Sequence, residues 1–252
     1  MAKNRLTPRL RTANKILAPY KLNKFPASFH LSVAKEIIYL LATKGQPSLE
    51  GNEWERIFAV SIGASWEPSN IGLDDVVLGN TAWGAKTVKN SIKDFRNLKR
   101  VRLISGRNSL VFSYGDTIDT DKEPDEVGEK VLEIWNDRVI SVRERFENLR
   151  TVVLVKSNDL SQVAIFEHDT IIYRPELFRF EWNKSKNLEG FDKRTGMKMF
   201  TWQPHGSQFT IHQEVPKDCL ILEIQNPPVI DKQSVLDAIN FTSSWVRIVS
   251  KK

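Results

Sequence analysis

Cysteine is almost missing from this chain. Cys219 stands alone among 252 residues, so no internal disulfide can form, and stability has to come from an ordinary buried core. Histidine is nearly as scarce. His30, His168, His205 and His212 lie far apart and none neighbours a cysteine, which excludes zinc ligation at the usual Cys/His spacing. No apolar run approaches the roughly 20 residues that cross a bilayer, so no membrane association is expected, and the first residues lack the apolar stretch of a signal peptide. No glycine-rich loop could cradle a nucleotide phosphate, and no serine or cysteine sits in a nucleophile elbow. ATP use and triad hydrolysis are therefore not expected. Internal repeats and low-complexity tracts are absent as well.

Negative charge is missing from one long stretch. Residues 1–35 carry Lys3, Arg5, Arg9, Arg11, Lys15, Lys21, Lys24 and Lys35 and not a single acid. The net charge is +6, so these eight cations leave the remainder at −2. A second basic cluster follows at 86–107, where Lys86, Lys89, Lys93, Arg96, Lys99, Arg100, Arg102 and Arg107 face only Asp94. Basicity that is local rather than spread over the chain points to a polyanion, because phosphate contacts gain from counterion release. Hydrophobic residues at 40% and charged residues at 27% fit a soluble globular protein.

Apolar periodicity predicts helices over 28–43, 49–61 and 126–149, with a last short one over 232–241. Alternation predicts a hairpin, Asp75–Leu78 and Thr81–Val88 around Gly79-Asn80. Further strands are expected at Val101–Ile104, Leu110–Tyr114 and Thr151–Val155, a short basic helix over 89–100, and an acidic, turn-rich loop over 115–125. Residues 162–224 read mostly as strands and turns. The expectation is one α/β (α+β) domain spanning 1–252, with a mixed central β-sheet flanked by helices. A basic arm of weak structure (about 1–27) would precede it, and its β-rich half (about 151–252) would contribute recognition.

The hairpin carries the chemistry. Asp75 opens the first strand and Lys86 lies on the returning one, so both can reach one region of the sheet. A carboxylate there can hold Mg²⁺ through hard oxygen donors, and a lysine can orient or activate a water and offset phosphate charge. Metal-assisted hydrolysis of a phosphodiester needs little more.

The helix-then-hairpin order, with Asp75 ahead of Lys86, resembles the PD-(D/E)xK nucleases, and among them the type II restriction endonucleases. Residues 50–90 carry the resemblance. It implies a restriction-endonuclease-like core, Mg²⁺ as cofactor, and hydrolysis of both strands of a short DNA sequence to leave a 5′-phosphate. Asp75 would be the metal-binding aspartate, with Asp74 as the alternative, Lys86 the lysine, and the Ala85 backbone carbonyl a further ligand. Glu53 or Glu55 would be the upstream acid, Glu55 completing the catalytic set. Asp74 stands where that family has proline, and Gly84 where its triplet has an acid. Glu55, Glu53 and Asp94 are the local substitutes. A homodimer on palindromic double-stranded DNA would follow. So would a bacterial or archaeal cytoplasm, and a separate methyltransferase acting on the same site.

Two polar segments are candidates for reading DNA. Arg107, Asn108 and Ser109 lie in one turn, and arginine and asparagine can bind guanine and adenine bidentately. Gln203, His205, Ser207 and Gln208 lie in the other. Lys89, Lys93 and Arg102 are candidates for phosphate contacts, with Lys184, Lys186, Lys193, Arg194 and Lys198 around the second segment. The alternatives are a nucleic-acid-binding protein that does not cut, and a repair or mobile-element nuclease that prefers damaged or branched DNA.

Overall fold

The structure, a computed structural model, describes residues 17–69, 71–115 and 122–249. Two helices come first, α1 (Phe29–Lys44) and α2 (Gly51–Ile62), each stopped by a left-handed glycine, Gly45 and Gly63. An antiparallel meander follows: β1 (Ser65–Trp66), β2 (Val76–Leu78) and β3 (Thr81–Lys89). The chain then forms β4 (Arg100–Arg107), the short helix α3 (Leu110–Tyr114) and the long helix α4 (Pro124–Arg143). It returns as β5 (Asn148–Lys156), parallel to β3 along nine register pairs. The remaining strands are β6 (Gln162–Asp169), β7 (Phe178–Trp182), β8 (Leu188–Asp192), β9 (Lys198–Gln203), β10 (Gln208–Glu214) and β11 (Leu220–Glu223), before the last helix α5 (Lys232–Ala238).

The protein is thus mixed α/β, and its strands make two sheets where the sequence predicted one. The first sheet is mixed, in the order β1-β2-β3-β5-β6-β11. The second is antiparallel, in the order β4-β10-β9-β8-β7. One face of the first sheet, with Val76, Trp83, Ala85, Val152 and Leu154, is covered by Phe29, Val33 and Ile37 of α1 and Trp54, Ile57 and Phe58 of α2. The opposite face meets α4 and the second sheet: Ala82 and Leu149 pack with Val131, Val139, Phe200, Trp202 and Phe209. Farther along, Val153 and Phe166 pack with Val101 and Leu103 of β4. Burial on both faces explains why β5 reads as a continuous apolar run. None of the described helices is long and apolar enough to cross a membrane.

Several local expectations need correction. Leu110–Tyr114 is helical, because Ser109 caps its N-terminus by accepting from the Phe112 N–H at 3.2 Å and left-handed Gly115 closes it. The basic stretch 89–100 holds only a 3₁₀ turn, Phe95–Asn97, capped by Asp94. The long helix stops at Arg143, so Phe146 and Leu149 belong to the turn and strand beyond it.

The part of the basic arm that is described is also fixed in place. Glu167, buried on β6, accepts from the Tyr20 hydroxyl at 2.8 Å and the Trp83 indole at 2.7 Å, and pairs with Arg150 at 3.3 Å. Asn23 pairs with the Glu167 backbone in both directions. Tyr20, Trp83 and Arg150, with the Asn23 backbone N–H at 3.4 Å, surround one carboxylate and keep its burial tolerable. Residues 1–16 of the arm lie outside the described residues.

Candidate active site

Gly84 and Lys86 alternate with Trp83 and Ala85 along β3, so they lie on the face turned towards α4. The β2–β3 register pairs Val76 with Trp83. Extended one step, it sets Asp75 opposite Gly84, two residues from Lys86. The Asp75 carboxylate accepts from the Ala85 N–H at 3.2 Å. A strand residue's N–H and C=O point to the same edge, so the Ala85 carbonyl opens towards Asp75 as well. Lys86 donates from Nζ to the Gly72 carbonyl at 2.9 Å.

The electrostatics are those of charges taken out of water together. Burial raises the Asp75 carboxyl above its ordinary range; the nearby charge of Glu55 adds to this, while Lys86 and the Ala85 N–H oppose it. Burial lowers the Lys86 ammonium, as does Arg138, against the pull of Asp75 and Glu55. Two carboxylates and a lysine therefore share one electrostatic environment. Glu55 comes from α2, where the Trp66 indole on β1 donates to it at 3.0 Å.

The other candidate acids are engaged elsewhere. Glu53 accepts from the Glu50 N–H at 2.7 Å and pairs with Lys44 at 2.5 Å, which fixes the start of α2. Asp94 binds the Arg96 backbone and guanidinium. Asp74 is buried but turned to Ser69 and Arg145, both at 2.5 Å. Glu55 is the one of these acids whose charge is felt at both Asp75 and Lys86. Among the described residues no three Asp, Glu, His or Cys side chains converge as a metal cluster.

The reason for Gly84 is steric. A Cβ there would stand 2.9 Å from the Gly72 oxygen and 3.0 Å from Leu73 Cα. The backbone of the 71–73 loop lies across β3 at this point, and only glycine leaves room for it.

The two polar segments come together at one end of the second sheet. Gln208 pairs with both Gln203 and Arg107 across the strands, and the Asn108 N–H donates to Ser207 at 2.7 Å. Arg107 and His205 are exposed, and Ser109, Gln203, Ser207 and Gln208 partly so. Asn108 is a correction. Its side chain is fully buried, donating to Val131 O at 2.8 Å and accepting from Arg138, so it cannot reach a base. Arg102 is exposed on β4. Lys89 and Lys93 are exposed in the segment that leads into that strand.

Sequence reasoning missed Arg138. From α4 it donates to Ile71 O at 2.5 Å and Ser105 O at 2.7 Å, and lies over the Trp135 ring at 5.6 Å. The signal for it was Gly106, a glycine inside a strand pattern, which marks a close approach.

Compared with protein-family models, with curated proteins and with solved structures, the chain gives no match.

Asp75 carries a pH prediction. Its folded-state carboxyl lies above the ordinary value, so its contribution to stability is present at low pH and lost as pH rises through the raised value. Asp75→Asn removes that loss. Urea unfolding should show the variant gaining on wild type as pH rises above the ordinary carboxylate range. A stability difference that does not change with pH would mean that Asp75 is not destabilised by its burial.

Proposed function

We propose that this chain is a metal-dependent endodeoxyribonuclease of the type II restriction kind, cutting double-stranded DNA at a short sequence. The observation that carries the reading is the placing of Asp75 and Lys86 at one end of the β2–β3 hairpin, where the Asp75 carboxylate accepts from the Ala85 N–H and the charge of Glu55 reaches both. The element order α2, the β1–β3 meander, α4 and parallel β5 supports a restriction-endonuclease-like core.

The donors here are hard oxygens, few in number, which suits Mg²⁺, an ion held by one or two carboxylates with water and phosphate. Asp75, Glu55 and the Ala85 carbonyl would hold it, and the bound ion would polarise the scissile phosphate and acidify a water. Lys86 supplies a hydrogen bond and positive charge to the phosphate. Arg102, Arg107, Ser109, Gln203, His205, Ser207 and Gln208 would meet the DNA from the second sheet. Lys89 and Lys93 would hold phosphates farther along. Two copies would match the two halves of a palindrome, and a separate methyltransferase would protect the same site in a bacterial or archaeal cytoplasm.

Digestion of unmethylated phage DNA tests the specificity. Discrete bands that require Mg²⁺ are expected. A Mg²⁺-dependent smear would replace the restriction reading with a nuclease of another preference. Glu55→Gln is expected to raise the Mg²⁺ concentration for half-maximal cleavage at least about tenfold. An unchanged Mg²⁺ midpoint would remove Glu55 from the ligand set.

One observation favours a second reading. Among the described residues no third acid joins Asp75 and Glu55 in a metal cluster, so a nucleic-acid-binding protein that does not cut would carry the same basic face. A gel shift with DNA left intact at every metal concentration would select it.

A further inference from the structure

Arg138 touches neither Asp75 nor Lys86 by hydrogen bond, yet it is wired to both sides of the site. Its Nη2 holds the Ile71 carbonyl at 2.5 Å. The next carbonyl along, that of Gly72, accepts from Lys86 Nζ. Its Nη1 holds the Ser105 carbonyl at 2.7 Å and the Asn108 side-chain oxygen at 3.3 Å, at the end of β4 where Arg107 is displayed. One planar fork therefore ties the loop that orients Lys86 to the turn that carries the exposed arginine.

A second observation is independent of these bonds. Gly106 has φ +107°, and a Cβ there would lie 2.5 Å and 2.6 Å from the two terminal nitrogens of Arg138. The backbone at 106 lies directly against the guanidinium, and Trp135 stacks beneath it. A guanidinium enclosed by a glycine, a ring and three acceptors is held in one rotamer, which suits it to fix distances between other groups.

We propose that Arg138 is the positioning residue of this site, a rigid brace that sets Lys86, through the 71–72 loop, at a fixed distance from the phosphate-contacting end of β4. This rests on the nuclease reading. A phosphate backbone laid against Arg107 is thereby registered to the Lys86 amine before any metal or substrate arrives. Planarity does this work rather than charge alone, since two parallel N–H groups must span two loops at once.

The test uses the whole chain with Arg138→Lys, which keeps the charge and loses the fork, and Arg138→Met, which loses both and keeps a stem over Trp135. Both are expected to lower single-turnover cleavage of DNA by about 100-fold. Affinity for the same DNA should stay within about threefold of wild type, because the Arg138 guanidinium is already taken up by Ile71, Ser105 and Asn108. Hydrogen exchange is read alongside. Amides at 71–73 and 105–108 should exchange faster together in both variants, with those of β5 unchanged. Full cleavage by Arg138→Lys, or faster exchange in one loop only, would overturn the brace. If the wild-type protein cuts no DNA with Mg²⁺, the nuclease reading fails separately, and the exchange data still decide whether Arg138 couples the two loops.

Discussion

Lys86→Ala is expected to cut DNA about 10³-fold more slowly than wild type while binding it nearly as well. Lys86 lies on β3 beside Asp75, with its amine held to the Gly72 carbonyl and its charge felt by two carboxylates. Removing it deletes the donor that meets charge developing on the phosphate, an interaction strongest in the transition state. Such a loss falls on the chemical step and leaves ground-state binding largely intact. Most phosphate contacts would come from the exposed Lys89, Lys93, Arg102 and Arg107, which the substitution does not touch. The fold should survive, since alanine fits a strand interior and relieves the burial of an ammonium. A native gel and a cleavage time course on the same preparation separate the two effects. Equal loss of binding and cutting would make Lys86 a phosphate contact and nothing more.

Gly84→Glu, which places an acid where the nucleases that the sequence resembles carry one, is expected to destabilise the protein. The new Cβ would meet the backbone at Gly72 and Leu73 at 2.9 and 3.0 Å. Those neighbours are main chain and cannot rotate away. Leu73 is itself buried against α4. Overpacking of this kind, with a carboxylate forced into a buried position, costs about 3 kcal/mol. In a chain of this size that lowers the melting temperature by roughly 10 °C. Even Gly84→Ala meets the same contacts and should lose stability in the same direction. A Gly84→Glu protein that melts like wild type would mean that the 71–73 loop does not lie against β3. In the proposed site the second acid would come from α2, because the loop occupies the room that a side chain on β3 would need.

The hairpin from Asp75 to Lys89 was legible because its signals were local. Gly79-Asn80 marks the turn, and Val76, Trp83 and Ala85 mark the buried face. The end of α4 was not legible. Val142, Phe146 and Leu149 continue the helical spacing beyond Arg143, although the last two serve the following turn and strand. The mostly apolar run Leu110-Val111-Phe112-Ser113-Tyr114 fits strand or helix equally well, and only the bracketing Ser109 and Gly115 distinguish the two.

At the site, Asp75 and Lys86 could be named from the sequence. The resemblance alone sets Glu55 ahead of Glu53; the physical reason, that Lys44 and the Glu50 N–H engage Glu53, lies in the fold. Arg138 reads in sequence as an ordinary charged position on an amphipathic helix. Its role depends on two loops from elsewhere in the chain closing over it, and no local pattern encodes that. The same is true of Asn108, a polar turn residue in sequence and a buried strut in the fold.

The central claim is that Asp75 and Lys86 form a metal-dependent site for cutting DNA. It is tested most directly by incubating wild-type and Asp75→Asn protein with unmethylated phage DNA, with Mg²⁺ or with EDTA. Cleavage by wild type in Mg²⁺ alone, and by Asp75→Asn in neither, is the predicted result. DNA left intact by the wild-type protein, or cut equally well by the variant, would contradict it.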